Sequence, residues 1–359
     1  MGSNAGTIAP VPDPVSASSA GPGSAGRNPD PADPPAVGVV AANGEEAGPW
    51  TVRRLTRWMT AHFTRKGVDS PRVVADTLLA NVLGCERMQL YMRPDHEPTE
   101  AERERLRGLV ARASRHEPLQ FLVGEWPFWG SVFEVGPATL IPRPATESLV
   151  EKAVSLARDD AGLAGRSLRI VDACTGTGCI AVATMLGLRR SRREGGCRPL
   201  GEAAAAANAI AHRAIATELV PEAAALARRN IERHGLGAAI EVREGDLLAP
   251  LSAEPDGSID LLLSNPPYVS DSEWDELAPN VRDFEPATAL RGGRDGLDLV
   301  RRLIGPAARL VRPGGWLLVE IGHAQRESAP AVLDRAAWDS VEVLKDHEGF
   351  WRVLVAQRR

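Results

Sequence analysis

The stretch LRIVDACTGTGCI, Leu168 to Ile180, passes from an apolar run through a turn of small residues into the start of a helix. Leu168–Asp172 reads as a buried strand, and the apolar spacing that follows predicts a helix to about Leu188. Glycines at 176 and 178 let a ligand approach the backbone, and a helix N-terminus offers N–H groups with no intrahelical partner. The loop from Asp172 through Cys174, Thr175, Gly176, Thr177 and Gly178 therefore suits a dinucleotide pyrophosphate or the amino-acid end of S-adenosylmethionine. Its spacing is not G-x-G-x-x-G, which counts against the dinucleotide.

Downstream, strands and helices alternate. His212–Glu218 reads as a strand and Pro221–His234 as a helix opened by proline. Ile240–Arg243, Ile259–Ser264, Trp316–Ile321, Val341–Leu344 and Trp351–Val355 supply further strands. Strands separated by helices of this length predict a parallel, doubly wound α/β sheet. Residues 189–210 interrupt the rhythm with an Arg cluster and a long connection, read as a solvated surface insertion.

Two acids stand at strand ends. Glu218 closes the strand next to the glycine loop, where a carboxylate can accept from both ribose hydroxyls of an adenosine. The dipole of the helix that follows would also favour a plain surface acid there. Asp246-Leu247 follows the third strand; the acid could accept from an adenine amino group and the leucine could pack on the ring, though Gly-Asp also makes an ordinary turn.

Ser264-Asn265-Pro266-Pro267-Tyr268 directly follows the strand Ile259–Leu263. The two prolines remove two N–H donors and so leave nearby carbonyl oxygens as free acceptors. Asn265 adds a side-chain carbonyl and Tyr268 a flat face. Such an array fits a planar NH2 group, with acceptors on its hydrogens and a ring against its plane. Gripping both hydrogens favours the pyramidal nitrogen needed to attack a sulfonium methyl in line.

On the other side of the fold-deciding stretch the composition changes. Residues 1–49 hold nine Pro, eight Gly, no aromatic residue and a single Arg against five acids, which predicts a disordered tail. That tail lacks the basic start and apolar core of a secretory signal and the Arg-rich, acid-poor character of a transit peptide. From Trp50 to about residue 118 the pattern is helical. Val52, Leu55, Trp58, Met59 and Phe63 form one stripe; Ser70-Pro71 reads as an N-cap and first turn, with a stop near Gly84; Thr99 and Glu102 form a capping box ahead of Leu106, Leu109, Val110 and Ala113. Short β-like runs around Gly124 and Gly130 predict a hairpin within a linker over 119–140, leaving 141–359 as the larger domain.

Composition excludes other classes. A net charge of −5 argues against a nucleic-acid coat. No apolar run reaches 18 residues, so no membrane span is expected. Cys85, Cys174, Cys179 and Cys197 contain no C-x-x-C pair, and the seven histidines show no H-E-x-x-H, so neither a disulfide framework nor a metal site is expected.

Asn265-Pro266-Pro267-Tyr268 resembles the signature of methyltransferases that act on planar NH2 groups. Further stretches resemble the PrmC/HemK-type peptide chain release factor N5-glutamine methyltransferases: Glu117-Pro118-Leu119-Gln120 with Gly124-Glu125 and Phe128-Trp129-Gly130, Leu140 to Glu147 (LIPRPATE), Arg282 to Pro286 with Ala289-Leu290, and Gly292-Gly293 with Asp295-Gly296-Leu297. The resemblance covers about residues 50–359. It implies a Rossmann-like, seven-stranded class I methyltransferase domain preceded by a helical substrate-recognition domain and a β-hairpin linker. It also implies S-adenosylmethionine as cofactor, a class I release factor as protein substrate, and methylation of the Gly-Gly-Gln glutamine in support of translation termination.

Carried over by position, the cofactor loop falls on Cys174 to Gly178 with Asp172 beneath it, the ribose ligand on Glu218, and the adenine contact on Asp246-Leu247. The glutamine cradle falls on Asn265, Pro266, Pro267 and Tyr268, with Asn265 also near the cofactor, and Arg143 joins the substrate side. Ala173-Cys174 stands where Leu-Gly is usual, Glu218 where Asp is commoner and Ala145 where an acid is common. The implied protein is a monomer of the cytoplasm, or of the mitochondrial matrix if the source is eukaryotic, with no direct nucleic-acid contact. The rival enzyme is an amino methyltransferase of DNA or RNA, which needs a basic groove that this charge balance does not supply.

Overall fold

A computed structural model describes residues 48–194 and 211–359 of the chain. These residues divide at Val123/Gly124 into two compact units. The tail assigned to residues 1–49 lies outside the described residues up to position 47, and so does the insertion beyond Glu194.

The first unit is helical: α1 (Val52–Arg65), α2 (Pro71–Leu83), α3 (Arg87–Met92), α4 (Glu100–Ala113) and α5 (Leu119–Val123). Its core joins Val52, Leu55, Met59 and Phe63 of α1 to Leu78 and Leu79 of α2 and Leu106, Val110 and Ala113 of α4; Trp58 and Leu109 are only partly buried. The capping box at α4 is formed, with Glu102 N–H on the Thr99 hydroxyl and Thr99 N–H on the Glu102 carboxylate. Gly84 ends α2 in the left-handed region, as a glycine there permits. Ser70 corrects one expectation. Its own φ of 47° turns the side chain away from the helix, so it caps nothing, and Pro71 alone sets the first turn.

The linker is also shorter in β-structure than expected. Residues 119–123 are helix, and the hairpin comprises only β1 (Glu125–Phe128) and β2 (Ser131–Glu134). Its two-residue turn puts both Trp129 (φ 51°) and Gly130 (φ 67°) in the left-handed region, the requirement of a type I′ turn. Trp129 tolerates this because its N–H donates to Glu147 Oε1 at 2.7 Å.

The second unit continues with α6 (Pro144–Asp159), β3 (Arg169–Ala173), α7 (Cys179–Glu194), β4 (Arg213–Glu218), α8 (Pro221–Arg233), β5 (Ile240–Glu244), β6 (Ile259–Ser264), β7 (Val269–Ser270), β8 (Arg291–Gly293), α9 (Asp298–Leu310), β9 (Val311–Glu320), β10 (Trp338–Lys345) and β11 (Trp351–Arg358). Seven of the strands form one sheet in the order β10-β11-β9-β6-β3-β4-β5. The seven-stranded doubly wound sheet is as expected; it is parallel from β9 through β6, β3 and β4 to β5, while β11 runs antiparallel to both β9 and β10. The short connection after β10 leaves no room for a crossover helix, so the chain returns as a hairpin.

The strands of the sheet centre are continuous apolar runs because both faces are covered. Ile170, Leu261 and Leu263 pack under α6, α7 and α8 on one face, and Val171, Leu262 and Leu317 under α9 on the other. Burial of this kind contributes roughly 25 cal/mol per Å² of apolar surface. It makes the sheet a rigid platform for the loops at its carboxyl edge. Among the described residues no helix is long and apolar enough to cross a membrane.

Candidate active site

The chain passes from β3 to β4 and β5 on one side, then returns to β6 on the other. At that reversal, outside the carboxyl ends of the strands, lies an open cavity.

The glycine-rich loop forms one wall. Cys174 (φ 61°), Gly176 (54°) and Gly178 (80°) all occupy the left-handed region, which is strain-free only for the glycines. The loop is tied from below by Asp172, which is fully buried: its Oδ2 accepts from the Thr175 hydroxyl at 2.5 Å and from Ala181 N–H at 3.1 Å. Burial pushes its carboxyl up to about 7 against those two hydrogen bonds, and the Glu218 charge adds to the rise. Asp172 does not line the cavity, so it shapes the loop from beneath while Cys174, Thr175, Gly176 and Thr177 present themselves. Gly178 also stays behind the lining, where a Cβ would sit 3.4 Å from that of Ala227 on α8. The Cys174 thiol is pushed up to about 12 by burial, with Glu218 and Asp172 adding to the effect, so it is a neutral wall and no nucleophile.

Glu218 lines the cavity at the end of β4. Its Oε2 accepts from Gly176 N–H at 2.9 Å and its Oε1 from Val220 N–H at 3.0 Å. A carboxylate oxygen has two lone pairs, so each oxygen keeps one acceptor position for a hydroxyl. Leu219, 57% exposed, and Leu247, buried with φ 49°, put apolar surface beside it. Asp246 lines the same side and is paired with Arg302, which leaves its second oxygen as an acceptor.

Across the cavity, β6 ends in Ser264, whose hydroxyl donates to the carbonyl of Ala173 at 2.8 Å and locks β6 to β3 just where both loops begin. Asn265 and Pro267 line the cavity. Asn265 Nδ2 donates to Thr146 Oγ1 at 3.3 Å, which leaves Oδ1 as an acceptor. Among the described residues no N–H donates to the carbonyl of Pro266. Pro266 is buried and Tyr268 half-buried, and neither is among the residues that line the cavity; the Tyr268 hydroxyl donates to Glu320 Oε1 at 3.3 Å.

Arg143 lines the cavity too, but it is not loose. It pairs with Glu285 at 2.5 Å, with side-chain exposures of 13% and 1%, while the other oxygen of Glu285 accepts from Ile141 N–H at 3.1 Å. Two sequence stretches separated by about 140 residues are thus clasped into one wall, carrying Pro142 and Arg143 on one part and Thr288 and Ala289 on the other. Sequence reasoning missed Thr146, Leu219 and Glu285. The stretches carrying Thr146 and Glu285 stand out as motifs, yet nothing in them says that they meet. Among the described residues no three His, Cys, Asp or Glu side chains converge as a metal site.

Comparison with known proteins finds two family matches, to the PrmC N-terminal domain over residues 54–124 and to the RMKL-like methyltransferase domain over residues 161–273. The release factor glutamine methyltransferase of Geobacter sulfurreducens is 36% identical over 305 residues, covering 85% of this chain and 96% of its own. That of Nitratidesulfovibrio vulgaris is 36% identical over 310 residues, covering 86% and 95%. A methyltransferase of known structure from Pyrococcus furiosus aligns at 18% identity with a TM-score of 0.41, over 72% of this chain and 98% of its own.

Proposed function

The chain belongs to the release factor glutamine methyltransferase family, and on that premise we propose that it methylates the side-chain amide nitrogen of the Gly-Gly-Gln glutamine in a class I release factor, with S-adenosylmethionine as donor. The observation that carries this reading is the meeting, in one cavity, of an acceptor loop ending β6 with an acid-bearing, glycine-rich wall ending β3 and β4. S-adenosylmethionine, when bound, supplies an electrophilic sulfonium methyl. The wall fits it by the chemistry of its donor set: Glu218 keeps two acceptor positions for ribose hydroxyls, and Leu219 and Leu247 offer apolar surface for a base with Asp246 at its edge.

The chain's own residues then orient the acceptor. Asn265 Oδ1 takes one hydrogen of the substrate amide NH2, and the carbonyl of Pro266 takes the other. Tyr268, half-buried next to the proline pair, flanks the amide plane. An amide nitrogen is a poor nucleophile, so fixing it in line and stabilising the positive charge that develops on it carries most of the acceleration. No general base of unusual pKa is needed, because the nitrogen becomes acidic only as the new bond forms and its proton leaves late to water. Arg143, held by Glu285, keeps a positive charge at the substrate side, and the helical unit holds the release factor.

The test offers release factor, DNA and RNA to the purified protein with methyl-labelled S-adenosylmethionine. Label is expected in the release factor, at one glutamine by peptide mapping. Label in DNA or RNA and none in release factor would replace this substrate class with a nucleobase amine.

A further inference from the structure

Behind the acceptor loop, a glycine-rich loop and one glutamine meet. Gln325 is buried in the short turn His323–Gln325 that follows β9. Its Oε1 accepts from Gly322 N–H at 2.9 Å, and its Nε2 donates to the carbonyls of Tyr268 at 3.0 Å and Asp295 at 3.2 Å. All three partners are backbone groups with fixed roles. The amide therefore has a single orientation: its oxygen must meet the N–H, and its NH2 must meet the two carbonyls.

The loop Gly292–Gly296 is pressed against the same place. A Cβ on Gly296 would overlap the Tyr268 carbonyl and the Gln325 amide, and one on Gly292 would stand 2.7 Å from the Pro267 carbonyl oxygen. These positions are glycine because backbone is packed on backbone with no space for a side chain. The Gly292-Gly293-x-Asp295-Gly296 stretch, which contributes no chemistry of its own, thereby acquires a purpose: it is the back plate of the acceptor loop.

We infer that Gln325 is the positioning residue of the acceptor loop, bolting Tyr268 and Asp295 together so that Asn265 and Pro266 keep their acceptors at a fixed height above the sheet. The inference rests on the reading of Asn265–Tyr268 as the acceptor cradle. The hydrogen bonds of Gln325 go to Gly322, Tyr268 and Asp295 and none to the glycine-rich wall or Glu218, so it acts on one half of the site.

The isosteric change Gln325→Glu puts an oxygen where the two carbonyls need a donor. In the full-length protein it is expected to lower single-turnover methyl transfer to release factor by about ten- to a hundred-fold, with cofactor Kd by calorimetry within about two-fold of wild type. Hydrogen exchange is expected to speed up about ten-fold in the segment 265–270 and to stay unchanged in the segment 174–181. Gln325→Met, which keeps volume and withdraws the hydrogen bonds, replaces the first variant if that one does not fold. Transfer within about two-fold of wild type would overturn the inference, and so would an equal rise of exchange in both segments with cofactor binding lost in parallel. If wild-type protein transfers no methyl to release factor, the functional reading fails and the exchange comparison alone decides the role of Gln325.

Discussion

The two walls of the cavity are built on opposite principles. The glycine-rich wall is held by its own loop and the adjacent strand: Asp172 grips Thr175 and Ala181 within nine residues, and Glu218, at the end of the neighbouring strand, grips Gly176 as well as its own Val220. The acceptor wall is held by remote residues. Asn265 leans on Thr146, Tyr268 on Glu320 and Gln325, and the flanking Arg143 on Glu285. A locally held wall tolerates change elsewhere in the chain, whereas a remotely held wall makes the acceptor geometry depend on the entire sheet edge being in register.

The comparison is tested hardest at Glu285. Replacing it by Ala leaves the mostly buried Arg143 guanidinium without its carboxylate and Ile141 N–H without its acceptor. Stability in urea should fall by about 3–5 kcal/mol, as for a broken buried pair. A cost under about 1 kcal/mol would mean that the clasp is ornamental and the acceptor wall is held in some other way.

Asn265→Ala should reduce turnover on release factor by about 10²–10³-fold, by analogy with losing one preorganised hydrogen-bonding group. Its melting temperature should barely move, since the proline pair still fixes the loop and the lost contact is a single 3.3 Å hydrogen bond to Thr146. Near-normal transfer with an unchanged melting temperature would remove Asn265 from the chemistry.

On the opposite wall, Glu218→Ala should weaken S-adenosylmethionine binding by about 1.5–3 kcal/mol and leave release-factor binding alone. Titration calorimetry with each ligand separately gives the answer, and equal losses for both would show that the two walls are not independent.

The smallest effect belongs to Cys174, whose φ of 61° is ordinarily glycine territory. Cys174→Gly relieves that strain and adds freedom to the unfolded chain, so the net gain should stay within about 1 kcal/mol in denaturant unfolding. A loss larger than that would show that the thiol packs usefully in the wall.

Legibility in the sequence follows the same division. The strand, turn and helix around Leu168–Ile180 are readable because apolar periodicity and glycine spacing act within a dozen residues. Glu218 and Asp246 are readable because strand ends in a doubly wound sheet face one edge. Asp172 is found at the loop, yet its place beneath the wall depends on α7 closing over it. The inverted β11 is hidden, since a strand's own residues carry no sign of the direction in which its neighbour runs. Ser70 misleads for a similar reason: the residue type favours capping, and the backbone angle imposed by the preceding turn prevents it.

Local physics thus makes legible from the sequence alone the alternation of elements and the places of the glycine-rich loop and the Asn-Pro-Pro-Tyr loop at strand ends. What only the tertiary structure decided is which distant residues stand behind those loops. Thr146 lies 119 residues from Asn265, Glu285 142 from Arg143, and Glu320 and Gln325 52 and 57 from Tyr268. A hydrogen bond records distance in space, and until the sheet closes nothing about a buried Gln or Glu in the chain names the carbonyl, hydroxyl or guanidinium it will meet.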